Sequence, residues 1–434
     1  MKIINNEDKI LKTFNHKTET LSYLKQHINH PEKRSAIEDE LVKKESDIMK
    51  SWKLLDPAPY NLNKDTKDIV DIPFKNGVCR ITENAVTMID YNSKETVYFA
   101  ETTSCNHKFQ LFDNENREQG QFEKFMIYGI IGREVTEHSP LTTAERDDIS
   151  AFNSMMGYMT SNYKNPSQSP AIILSDEGAN NIHRNGGRGK TLITKALQHV
   201  RSWNSRSGLE FDAGYRHIFG DLEVFHDIYV IDDVPVGFKY DALYTNISGD
   251  IKPERKGTHT TVIPFEYTPK FIITTNNIVP HDELATSTNR RFLEYKLTDF
   301  WNSNNRPADY FEGNFFNDWD EKEWQLFHEL LVLCVMEYLS NGLQKIDYSK
   351  EGDNFRNVFM NEVLLEEFER IFAIMKLKDS FNVTDFVTEY KNSIWKAENF
   401  FSSRTTKAYI TAYITYHKLD IKYIENKKRW VFNQ

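Results

Sequence analysis

The run Gly186-Gly187-Arg188-Gly189-Lys190-Thr191 carries the residue types needed to hold a polyphosphate. Glycines let backbone N–H groups wrap phosphate oxygens, a lysine reaches the β- and γ-phosphates, and a threonine hydroxyl ligates Mg²⁺. A helix starting near Thr191 would add the positive end of its dipole. The spacing departs from the usual GxxxxGK[ST] pattern in one place, because position 184 is Arg184 rather than glycine. Taken alone, the run also reads as a glycine turn beside a chance Lys-Thr pair.

Three further groups follow in order. The apolar strand Tyr229-Val230-Ile231 ends in Asp232 and Asp233. Asp232 would hold the Mg²⁺ shell, and Asp233 would orient and polarise an attacking water. The strand Phe271-Ile272-Ile273-Thr274-Thr275 ends in Asn276, whose amide suits both the γ-phosphate and that water. Arg290 and Arg291 stand immediately before Phe292-Leu293-Glu294-Tyr295-Lys296-Leu297, where one of them could be offered to a neighbouring copy as an arginine finger. Each feature alone has a bland reading: a solvated strand end, a turn amide, a charged surface. Their order and gaps together point to a nucleotide site.

Elements able to position these groups are legible in the pattern. From Ala171 apolar strands alternate with helices, which predicts a largely parallel sheet flanked by helices. Residues 171–175, 227–234, 270–277 and 292–297 read as its strands, and 323–345 as a helix stopped at Asn341-Gly342. Upstream, residues 67–112 alternate in strand fashion with Asn76-Gly77 and Asn92-Ser93 as turns, and 121–162 read as helix. Residues 1–52 place Ile10, Leu11, Leu21 and Leu24 at helical spacing, predicting short exposed helices. Residues 362–434 read as three helices and a closing hairpin, the outline of a winged helix.

Composition narrows the class. The chain has 434 residues, 39% hydrophobic and 27% charged, as expected for packed domains rather than disorder. A net charge of -10 argues against a surface that coats nucleic acid throughout, so any cationic contact must be local. From Lys378 to Gln434 the balance reverses, with Arg404, Lys407, Lys427, Lys428 and Arg429 on the presumed recognition helix and wing. Cys79, Cys105 and Cys334 are far apart and form no CxxC pair, reading as reduced thiols. The polar N-terminus and the lack of a long apolar run predict a cytoplasmic protein with no membrane contact.

These residues resemble superfamily III helicases, most closely over 171–300 and more weakly over 65–434. The motif between the acidic strand and the Asn276 strand is matched by Ile247-Ser248-Gly249-Asp250 and the stretch to Phe265. The stretch preceding the motor is similar to its counterpart in poxvirus-type and phage primase-helicases. The resemblance implies an α/β P-loop core of AAA+ type, an N-terminal α+β domain and a C-terminal winged helix. It divides the chain into a helical segment (1–60), an α+β domain (61–165), an ATPase domain (166–345) and a winged-helix-like domain (360–434).

The resemblance further implies ATP and Mg²⁺ as cofactors and DNA as partner. It implies a hexameric ring and a pore hairpin whose Arg255, Lys256 and His259 grip one strand. Cations at such a tip meet phosphates without regard to sequence. Alignment puts Arg291 at the finger position, with Arg290 in reserve. No Asp-x-Asp and His constellation of a primase precedes the motor, so a separate primase or polymerase would be the partner for priming. Two other readings stay open: a replication initiator or loader without processive unwinding, and a non-replicative assembly ATPase.

Overall fold

A computed structural model of the chain describes residues 2–5, 10–13, 31–44, 47, 63–91, 93, 99–100, 105–177, 187–212, 214–215, 217–235, 237–254, 262–277, 279, 290–346, 362–378, 380–391, 406–407, 410–411, 413–414, 419–424 and 427–432. Its strands in chain order are β1 (Lys2–Asn5), β2 (Ile10–Thr13), β3 (Val70–Phe74), β4 (Gly77–Ile81), β5 (Val86–Ile89), β6 (Phe99–Ala100), β7 (Ala171–Asp176), β8 (Trp203–Ser207), β9 (Ile228–Asp232), β10 (Lys270–Thr274), β11 (Phe292–Leu297), β12 (Ser380–Phe381), β13 (Ile421–Ile424) and β14 (Arg429–Phe432). The helices are α1 (Arg34–Lys43), α2 (Gln121–Ile131), α3 (Thr143–Thr160), α4 (Lys190–Leu197), α5 (Tyr244–Ser248), α6 (Pro307–Tyr310), α7 (Glu321–Asn341), α8 (Glu362–Lys376) and α9 (Val383–Lys391).

The centre is a five-stranded parallel sheet of order β11-β7-β10-β9-β8. Every residue of β7 and β10 is buried, as central parallel strands covered on both faces require. Side chains alternate between two cores with the period of a strand. Ile172, Leu174, Val230, Ile272 and Tyr295 face α2, α3, α4 and α7, while Ile173, Tyr229, Ile231, Phe271 and Ile273 face Phe219, Leu243 and Ile247. Strand β8 escaped the sequence reading because all of Trp203-Asn204-Ser205-Arg206-Ser207 but the tryptophan is polar; it is an edge strand without apolar alternation.

The helices upstream of the sheet share its first core rather than forming one of their own. A capping box at Thr142 and Glu145 starts α3, and Gly157 lets it touch α7 backbone to backbone, since any Cβ there would collide with the Cys334 carbonyl. The C-terminal carbonyls of α3 are held by cations from elsewhere. Lys270, opening β10, donates to Tyr158 O at 2.5 Å and Ser161 O at 2.7 Å, and Arg201 donates to Thr160 O while pairing with Asp65 at 2.9 Å.

Three expectations change. Residues 2–5 and 10–13 are strands, not helix, and pair with each other and with β6. Ile3, Ile4 and Ile10 are β-branched, and a partner some ninety positions away outweighs a helical spacing read locally. The fourth strand of the upstream run leaves the β3-β4-β5 meander for the same reason. In the C-terminal unit β12 joins the β13-β14 hairpin, and Arg429 is a tie within it: it donates to Ser380 Oγ at 3.1 Å and Ser380 O at 3.2 Å and pairs with Asp385 at 3.3 Å. Lys407, Lys427 and Lys428 are exposed, and Arg404 lies outside the described residues.

His328 of α7 is buried in the first core. Its Nε2 sits 3.4 Å from the Cys105 thiol, and its Nδ1 has no hydrogen-bond partner among the described residues. His107 stacks on Trp324, and His199 meets the same indole edge-on. Burial, with the nearby His107 adding to it, pushes His328 down to about 3 and His199 to about 4. Unfolded, both would titrate near 6.5. Below that pH the unfolded chain binds more protons than the fold, so stability present above pH ~6.5 is lost as pH falls. Each histidine costs about 1.4 kcal/mol per pH unit in that window, or about 5 kcal/mol for the pair between roughly pH 6.5 and 4.5. Urea unfolding at a series of pH values reads this loss. His328→Leu should flatten the slope by about 1.4 kcal/mol per unit, and an unchanged slope would refute the assignment.

Candidate nucleotide site

Parallel strands present all their carboxyl ends at one edge of the sheet, where crevices form. Here that edge carries Asp176 at the end of β7, Asp232 at the end of β9 and, just past β10, Asn276. The strand leading to the glycine loop and the strand ending in acids are not neighbours, because β10 lies between them. Two strand spacings leave about 10 Å to bridge, and Asn276 bridges it.

The bridge is a continuous chain of contacts. Asp176 Oδ1 pairs with Lys190 Nζ, Lys190 Nζ donates to Asn276 Oδ1 at 2.6 Å, and Asn276 Nδ2 donates to Asp233 Oδ1 at 3.0 Å. Thr274 fastens the acidic end, its hydroxyl donating to Asp232 Oδ1 at 2.7 Å while accepting from the Asp233 amide at 2.8 Å. Behind them, Thr275 Oγ1 and Asn277 Nδ2 both donate to Val234 O. Asp233 adopts a left-handed backbone with φ of 54°, a conformation that Asp tolerates better than most residues and that clusters at functional sites.

Lys190 opens α4, and Thr191 follows on its first turn with an exposed side chain. Gly187 and Gly189 have φ of 101° and 94°, so both turns need glycine. Among the described residues a Cβ on Gly187 would meet nothing within 4 Å, which leaves its backbone open to a ligand, whereas one on Gly189 would collide with the Phe125 ring of α2. The upstream helix thus backs the loop. Arg188 turns inward, donating to Glu177 O at 2.5 Å and Leu297 O at 3.1 Å, with Nε 4.0 Å from Asp176. Lys190 and Asp176 are 8% and 5% exposed, and burial lowers the pKa of the lysine and raises that of the aspartate, each opposed by its partner's charge.

The donor set fits a metal-bound triphosphate: an open glycine backbone and the Lys190 ammonium for phosphate oxygens, a hydroxyl and a carboxylate for a hard cation, and a second carboxylate beside them. Against the other side of α4 lies a cavity of about 640 Å³, lined by Gly187, Leu192, Lys195, His199, Arg306, Phe315 and Phe316 among others. Its aromatic wall and polar rim have the size and lining of a small-molecule site.

Of the residues expected at the site, Arg188, Lys190, Asn276 and Asp233 are linked through these contacts, with Gly187, Gly189, Thr191 and Asp232 beside them in the chain. Arg291 is not among them. The register Phe292↔Ala171 to Leu297↔Asp176 puts it at the opposite edge of the sheet, about 17 Å of strand away. Gly186, Arg255, Lys256 and His259 lie outside the described residues; the segment holding the last three is closed at its base by a double backbone pairing of Ile251 and Ile263. Asp176 and Thr274 were missed. Asp176 was detectable as an acid ending an apolar strand, the same signal that marked Asp232, but nothing local marks the hydroxyl of Thr274.

The fold and these groups define a mixed α/β protein with a five-stranded parallel sheet, compatible with a P-loop-like core. No family model and no curated protein matches the chain. Two solved structures, both apo A forms of the NrS-1 C-terminal region, share 11% identity with it. The first spans 84% of this chain and 96% of its own with a TM-score of 0.33, and the second spans 82% and 94% with a TM-score of 0.34. Among the described residues no helix is long and apolar enough to cross a membrane.

Proposed function

We propose that the chain is a Mg²⁺-dependent P-loop ATPase acting as a ring-forming DNA helicase in the replication of a phage or mobile element, in the host cytoplasm. The observation that carries the ATPase reading is the contact chain Asp176–Lys190–Asn276–Asp233 at the carboxyl edge of a parallel sheet. Lys190 and the open backbone at Gly187 would bind phosphates, while Thr191 and Asp232 would hold Mg²⁺. The metal, when bound, supplies positive charge to the phosphate oxygens. Asp233, steered by the Asn276 amide, orients the attacking water and takes its proton. The cavity beside α4 would receive the nucleoside half, its base against Phe315, Phe316 and His199.

The helicase reading rests on the resemblance to superfamily III helicases, together with the pairing of Ile251 and Ile263 at the base of a segment that holds Arg255, Lys256 and His259. α8, β12, α9 and the β13-β14 hairpin support a winged-helix reading of the C-terminal unit, which would contact DNA or a partner through Lys407, Lys427 and Lys428. Primer synthesis would come from a separate protein.

ATP hydrolysis with and without single-stranded DNA, alongside unwinding of a forked duplex, tests the proposal. DNA that fails to stimulate hydrolysis would leave an ATPase but no helicase. Lys256→Ala should keep basal turnover and lose the DNA-stimulated increment, because it removes a phosphate contact and leaves the nucleotide site intact. Full stimulation in that variant would remove the hairpin from the mechanism.

A further inference from the structure

The P-loop lysine is already engaged. Lys190 Nζ is shared between the Asp176 carboxylate and the Asn276 amide oxygen, and both members of the ion pair are almost fully buried. A phosphate arriving at Gly187 must therefore compete with a carboxylate for the same ammonium. Asp176 has a second cation within reach, since Arg188 Nε stands 4.0 Å from its other oxygen. Arg188 is anchored through Nη1 to the carbonyls of Glu177 and Leu297, so it stays beside Asp176 if Lys190 turns away.

We propose that Asp176 is a positioning residue that stands in for phosphate: it holds Lys190 in register in the nucleotide-free protein and yields it to the triphosphate, its charge passing to Arg188. This rests on the P-loop reading above. The arrangement has two consequences. The lysine is prevented from folding back onto Asp232 or Asp233, which keeps the acidic end open. Affinity is also lowered, because an ion pair must be exchanged rather than a free ammonium captured. Asp176 touches neither substrate nor reacting atoms in this scheme and acts through Lys190 alone.

The test is binding of a fluorescent ATP analogue, with Mg²⁺, to the full chain. Asp176→Asn keeps the shape and removes the charge, and should tighten binding about tenfold, the scale of a lost hydrogen bond to a charged group. Asp176→Ser should act in the same direction, and Asp176→Glu, which keeps the charge, should not tighten. A merely structural role predicts the opposite for the neutral variants. Unchanged or weakened binding in both, or loss of a cooperative thermal transition in both, would overturn the proposal. Lys190→Ala run alongside separates the two levels: if it binds the analogue like the unaltered chain, the P-loop reading fails, whereas if it loses binding and the neutral variants do not tighten, only the role of Asp176 fails.

Discussion

Lys190→Ala should lower ATP hydrolysis by a factor of at least about 10²–10³, the usual scale for removing one preorganised charge stabiliser. The side chain is placed by its helix N-terminus, by Asn276 and by Asp176, so no neighbouring cation slides into its position. The substitution also leaves Asp176 in a buried site with Arg188 as its remaining cation among the described residues. Breaking a buried pair costs about 3–5 kcal/mol, so the thermal midpoint should fall as well. The double variant Lys190→Ala/Asp176→Asn separates these effects, since it should regain stability without regaining turnover. Phosphate release and thermal melting measure both. Normal hydrolysis by the single variant would end the nucleotide-site assignment.

Arg291→Ala should reduce turnover about 10³-fold, the lower end of the range for an arginine finger, while nucleotide binding stays as it was. The reason is geometric. Arg291 precedes β11 at the sheet's amino edge, its Nε donating to Ser248 Oγ at 3.0 Å and its guanidinium over the Tyr244 ring at 4.9 Å. About 17 Å of strand separates that edge from Asp176, so the arginine cannot reach its own chain's site and, in the proposed ring, would serve a neighbour's. Mixing Arg291→Ala with Asp233→Asn chains would then create interfaces that combine an intact arginine with an intact aspartate. Activity in the mixture above that of either parent is the expected result. A mixture as inactive as both parents, in assemblies of unchanged size, would exclude the shared site. Loss of turnover in Arg290→Ala alone would transfer the role to Arg290.

Much of the central sheet was written locally. β7, β9 and β10 are short, apolar and rich in β-branched residues, and burial on both faces leaves such runs little choice but a central parallel strand, whereas β11, with Glu294 and Lys296, takes an edge. Glycine spacing, acids at a strand end and an amide at another are likewise chemical statements confined to a few adjacent residues. Lys190, Asp232, Asp233, Asn276 and the glycines were therefore nameable before any fold was known. The helices α2, α3 and α7 were also legible, from apolar spacing and from stops such as Gly342, whose φ is 70°.

What the chain could not disclose locally is which distant groups become neighbours. That β10 lies between β7 and β9, so that Asn276 joins Lys190 to Asp233, is a matter of strand order. That Phe125 backs Gly189 and that Arg291 faces away from its own chain's site follow from packing and register. The same is true of β2, where the helical spacing of Ile10 and Leu11 lost to a partner at residue 99. Local patterns report how a residue treats water and its near neighbours; a site assembled across three strands depends on contacts between residues up to about a hundred positions apart, and only the folded sheet determines those.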